Sequence, residues 1–107
     1  MANTYTNAKV DLTTTNVTTL YTCAALTTGI VKSILVSEDS GNADTITATL
    51  TNASSAIFSL FKVKSVSANA TLELLSAPLV VQAGEILKVT AATADRLHVV
   101  ASILEIT

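Results

Sequence analysis

At 107 residues the chain suffices for one domain, which at this size buries roughly 65% of the surface exposed by its unfolded form. Half the residues are apolar and 13% are charged, against about 25% in an ordinary soluble domain. The net charge of −2 and the scattered basic residues exclude the clustered Lys and Arg of an electrostatic nucleic-acid footprint, and no apolar run reaches the ~18 residues of a membrane span.

Period-two alternation and β-branched residues predict strands throughout, with no convincing helix. The first covers residues 4–12. The stretch 1–10 is polar enough to be read also as a detachable N-terminal arm that reaches a neighbour by adding a strand. It has no charged segment leading into an apolar one, so a cytoplasmic product without a secretory signal is expected. After Thr13-Thr14-Thr15-Asn16 come strands at 17–24 and 29–38, broken by Thr27-Thr28-Gly29. The turn Glu38-Asp39-Ser40-Gly41-Asn42 leads to 44–51, and Asn52-Ala53-Ser54-Ser55 to 56–64. Strands at 70–75, 86–92 and 97–106 complete the set, with Ala77-Pro78 and Ala83-Gly84 marking turns. The expected architecture is all-β: a single domain over 1–107, an antiparallel β-sandwich of about eight strands. A jelly-roll-like sandwich is the first expectation and an immunoglobulin-like one the alternative.

Strand 44–51 alternates cleanly, with Ile46, Ala48 and Leu50 inward and threonines outward. Three others are apolar on both faces. In 97–106, Leu97, Val99, Ala101 and Ile103 oppose Val100, Leu104 and Ile106, with His98 and Ser102 among the latter. Segments 30–36 and 57–63 share this character. One face of an antiparallel sheet usually meets water, so a second apolar face implies a cover, plausibly another subunit. A hydroxyl-rich, charge-poor surface also favours an oligomer or an array. The candidate interface residues are Tyr5, Val10, Phe58, Leu60, His98, Val100, Leu104 and Ile106.

Catalytic and ligand chemistry is sparse. His98 is the single histidine and lies in an apolar strand, where a packed or interface role is expected rather than a general base. Cys23, the lone cysteine, cannot form an intrachain disulfide and is expected to be a small buried hydrophobe. Glu38, Asp39 and Asp44 form the acidic cluster. Their spacing departs from an EF-hand loop, so solvating a turn is expected, with calcium the alternative. Asn16, Asn52 and Asn69 open glycosylation sequons that the Thr/Ser/Asn-rich composition produces by chance. Without Trp, and with Tyr5, Tyr21, Phe58 and Phe61 expected to pack in the core, sugar stacking has little basis. No cofactor, metal or enzymatic activity is expected.

Two stretches carry a resemblance. One is Thr19-Leu20-Tyr21-Thr22 followed by Gly29-Ile30-Val31-Lys32-Ser33-Ile34-Leu35-Val36-Ser37. The other is Leu79-Val80-Val81-Gln82-Ala83-Gly84-Glu85-Ile86-Leu87-Lys88-Val89-Thr90, ending in Val99-Val100-Ala101-Ser102-Ile103-Leu104-Glu105-Ile106. From about Thr18 onward the chain resembles small β-sandwich virion proteins of tailed bacteriophages, particularly marine and cyanobacterial phages. In that pattern a proline often follows the Tyr-Thr pair, where this chain has Cys23-Ala24-Ala25. The resemblance implies a capsid cement or decoration protein, commonly a homotrimer, that clamps neighbouring major capsid subunits. It would be made in the host cytoplasm and sit on the capsid exterior, binding no nucleic acid or membrane. A tail, baseplate or fibre adaptor is the alternative, and a glycan-binding module a third reading.

Overall fold

The computed structural model describes residues 2–107, and among them it is all-β, without a helix. Nine strands form: β1 (Asn3–Leu12), β2 (Thr18–Thr22), β3 (Thr28–Glu38), β4 (Asp44–Thr51), β5 (Ile57–Val66), β6 (Thr71–Glu73), β7 (Leu79–Val81), β8 (Ile86–Ala91) and β9 (Leu97–Ile106). The first sheet runs β1-β9-β3-β6, with β7 also on β3, and the second β2-β8-β4-β5. All pairings are antiparallel.

The ninth strand arises from an interruption. β6 pairs with Leu35–Ser37 and β7 with Gly29–Val31, consecutively along one edge of β3. Leu74 still donates its N–H to the Ile34 carbonyl at 2.9 Å, but from Leu75 to Pro78 the chain leaves the ladder, and Pro78 has no N–H to give it. Counted as one broken strand, β6 and β7 complete a simple scheme. β1 pairs with β9, β2 with β8, β3 with the broken strand and β4 with β5. The chain is one long hairpin turning between β4 and β5, rolled so that successive pairs alternate between sheets. That topology is the jelly roll, not the immunoglobulin arrangement.

The core fills the space between the sheets. Leu12, Val31, Ile34, Val36, Leu97, Val99, Ala101 and Ile103 enter it from the first sheet. Leu20, Tyr21, Ile46, Ala48, Val66, Leu87, Val89 and Ala91 enter from the second. Burial alternates along β9 from Leu97 to Leu104: Val99 is 0% exposed and its neighbour Val100 is 38%. This decides which face of the doubly apolar strand is core. Cys23 is buried, as expected, its thiol directed at the Thr27 carbonyl 3.3 Å away.

One tie between the sheets depends on an absent side chain. The Tyr21 hydroxyl, on β2, donates to Glu105 Oε2 on β9 at 2.6 Å. Burial and this bond, with a smaller effect of Cys23, push the phenol above its ordinary range, so it remains a neutral donor. Its ring lies over Gly29, where a Cβ would sit 2.8 Å from the hydroxyl oxygen and 2.9 Å from a ring carbon. Gly29→Ala is therefore expected to displace Tyr21 and cost about 1–3 kcal/mol as overpacking. A thermal melt followed by circular dichroism should drop by roughly 4–8 °C per kcal/mol; an unchanged melt would contradict the close packing.

Candidate interaction surface

The outer face of the first sheet holds most of the proposed interface side chains. Strand register arranges them in rows across β1, β9, β3 and the broken edge strand. One row is Tyr5, Leu104, Ile30 and Val80. Another is Lys9, Val100, Leu35 and Glu73. Asn7, Ser102 and Ser33 lie between these rows, while Ile106 flanks the first row, opposite Asn3 and Thr28. Tyr5 is 76% exposed, Val80 51% and Leu35 40%, while Ile30, Leu104 and Ile106 are half-buried. Cross-strand neighbours cover these three in part, and none of the described residues lies over the row. An apolar strip rimmed by polar groups is the usual form of a contact surface.

Two residues expected at the interface belong elsewhere. Val10 stands opposite Val99 on the inward side of β1 and packs against the core. Leu60 also packs against the core. The pairing of β4 with β5 shifts register between Ile46 and Ala48 and again between Ala48 and Thr49, and such bulges re-aim side chains. The aromatic residues divide as well. Tyr21 is buried and Phe61 partly so, whereas Tyr5 and Phe58 are exposed, contrary to the expectation that all four pack in the core. β1 edges the first sheet and β5 the second, on opposite sides of the roll, so Tyr5 and Phe58 form no joint stacking platform.

His98 lies on the same outer face, at its far end. Its Nε2 is 3.2 Å from Asp11 Oδ1 and its Nδ1 3.4 Å from Asp39 Oδ2. Register sets the first contact, because Asp11 is the residue opposite His98 on β1. A carboxylate therefore lies within ion-pair distance of each ring nitrogen. Exposed pairs of this kind contribute little to stability.

The acidic cluster disperses into structural roles. Glu38 is buried at the end of β3 and accepts the N–H of Ser40 at 2.8 Å, of Gly41 at 3.0 Å and of Asn69 at 3.1 Å. The Ser40 hydroxyl adds a donor at 2.5 Å. One carboxylate thus ties the β3–β4 turn to the loop before β6. Asp44 accepts the N–H of Thr93 at 3.1 Å, and Asp39 faces His98. No group of three His, Cys, Asp or Glu among the described residues is placed to hold a metal ion. Sequence reasoning missed a similar clip at Glu73, which accepts the Ser33 hydroxyl and the N–H groups of Ile34 (2.8 Å) and Leu75 (3.1 Å). Alternation offers no signal for it, since Ser33 and Ile34 belong to another strand and only Leu75 is near in sequence.

Burial alone would raise the Glu38 pKa, but the Ser40 hydroxyl and the N–H groups of Asn69, Ser40 and Gly41 outweigh it. They hold the carboxyl at about 2 against the ordinary 4.5. A depressed folded-state pKa stabilises the fold above the unfolded value and ceases to do so as pH falls through the folded one. Glu73 is shifted in the same direction by Ser33, Ile34 and Leu75 against its own burial. The melting temperature should therefore fall as pH drops from about 4.5 towards about 2. Glu38→Gln should melt lower at neutral pH and lose part of that acid dependence; a parallel pH profile would rule the clip out.

The fold and this face define a double-sheet jelly roll with an open apolar outer surface. No protein-family model matches the chain, and no curated protein matches it. Among solved structures, a chain in the structure of infectious bursal disease virus Gt strain aligns with 98% of this chain at 10% identity and a TM-score of 0.45. The alignment spans 30% of that viral chain.

Proposed function

We propose that the protein is a non-enzymatic structural component of a tailed-phage virion, a cement or decoration protein on the capsid exterior that stabilises contacts between major capsid subunits. The carrying observation is the outer face of the first sheet, where Tyr5, Leu104, Ile30 and Val80 align across four strands with no cover from the other described residues. Covering such a strip gains about 25 cal/mol per Å² of apolar area, less the ordering cost of association. The charge-poor, hydroxyl-rich composition and the sequence resemblance support the same reading. A jelly roll by itself hosts many functions, so the face carries the proposal rather than the fold.

Quantitative mass spectrometry of intact virions tests it. Hundreds of copies per particle, together with rebinding of purified protein to capsids lacking it, are expected. A dozen copies or fewer would place the protein in a tail or baseplate instead. Absence from virions, or capsid strength unchanged by its loss, would end the cement reading.

A further inference from the structure

The four sheet edges are not alike. β2 is a five-residue strand with a register shift between Thr19 and Tyr21. β5 carries two register shifts and a left-handed Val63 (φ 52°). β6 and β7 are three residues each. Short strands and bulges are the means by which proteins blunt edges against pairing. β1 uses neither: its ten residues pair with β9 without a shift. Its outer edge is long, regular and free of proline.

The ladder shows which backbone groups that edge presents. The Ala2 N–H donates to the Thr107 carbonyl at 3.2 Å and the Thr107 N–H to the Ala2 carbonyl at 2.9 Å, a mutually bonded pair. Bonded pairs alternate along an antiparallel ladder. In the register of β1 and β9, Thr4, Thr6, Ala8, Val10 and Leu12 thus exchange bonds with β9. Asn3, Tyr5, Asn7, Lys9 and Asp11 point their backbone N–H groups to the open edge, and their side chains lie on the outer face. The Asp11 carbonyl takes the Thr13 N–H within the turn.

We infer that this edge pairs with β1 of a second copy, antiparallel, about a two-fold axis at Asn7. Only this register overlaps all five edge-facing residues. It sets Asn7 opposite Asn7 of the second copy, Tyr5 opposite Lys9, and Asn3 opposite Asp11. The match is chemical as well as geometric. The exposed Tyr5 ring gains a lysine stem and ammonium, and the Asp11 carboxylate gains an amide donor. Across the junction the Tyr5–Leu104–Ile30–Val80 row of one copy meets the Lys9–Val100–Leu35 row of the other, with the lysine stem bridging the two apolar half-strips. The resemblance implies three copies; this edge implies two. The pairing stands on the edge alone, independent of any role in a virion.

Cysteine cross-linking of the full chain, with sedimentation, tests the pairing. Directly opposed bonded residues have Cα atoms about 5.5 Å apart, within disulfide reach. Asn7→Cys should cross-link to itself on mild oxidation. Lys9→Cys should not, because the two copies of residue 9 would lie ~13 Å apart at ~3.3 Å per residue. The unmodified protein should sediment at twice its 11.0 kDa chain mass. Asn7→Pro removes an edge N–H without breaking a bond to β9, and should give a folded monomer. A monomeric or trimeric unmodified protein, equal cross-linking of both variants, or a folded dimeric Asn7→Pro would overturn the inference.

Discussion

Ile34→Ala is expected to lower stability by about 2–5 kcal/mol, while Leu35→Ala, one residue on, should change it by less than about 1 kcal/mol. Both residues lie on β3, in a stretch whose sequence is apolar on either side. Ile34 is fully buried between the sheets, opposite Ala101, and its truncation leaves a cavity that strands pinned on both sides cannot close. Leu35 lies opposite Val100 on the outer face, so its truncation removes exposed surface. At roughly 4–8 °C per kcal/mol, the first substitution should lower the thermal midpoint by about 8–40 °C. Equal losses in chemical denaturation would mean that β3 does not present these faces as described.

Under the proposed cement role, Leu104→Asp should leave a folded protein that no longer binds capsids. Leu104 is half-buried in the centre of the apolar row, between Tyr5 and Ile30. On a solvent-facing strand position, losing its cross-strand contacts costs at most about 1 kcal/mol. Covered by a partner, the same carboxylate would be buried without a counter-charge, a penalty of about 3–5 kcal/mol, or at least a hundredfold in affinity. Binding to capsids lacking the protein, measured alongside a melt, separates the two effects. Retained binding by a folded Leu104→Asp would show that the capsid contact lies on another face. Loss of binding without loss of self-association would assign Leu104 to the particle contact and the β1 edge to a separate one.

Local pattern made much of this protein readable. The strands at 97–106 and 44–51 were predicted with the bounds the structure shows, because β-branched residues and turn chemistry act over a few neighbours. β7 was missed: three residues after Pro78 are too short for alternation to register, and β3 alone makes them a strand. Val10 and Leu60 were assigned to the surface because an apolar residue reads alike on either face. The Glu38 and Glu73 clips were legible only in their local halves, since Ser40, Gly41 and Leu75 lie beside the carboxylates in sequence whereas Asn69, Ser33 and Ile34 lie far along the chain.

Local patterning was enough to specify an all-β chain, its principal strands and which side chains share a face. A period of two requires that much, because Leu97, Val99, Ala101 and Ile103 cannot be separated from one another by any strand geometry. Which shared face became the core was set by the packing of one sheet on the other. On β9 the chain made Leu97 to Ile103 the inner set by rolling β2, β8 and β4 against that side, and left Val100, Leu104 and Ile106 outside. The physical reason is that alternation is a local property of the backbone, whereas burial depends on which distant strand packs across it.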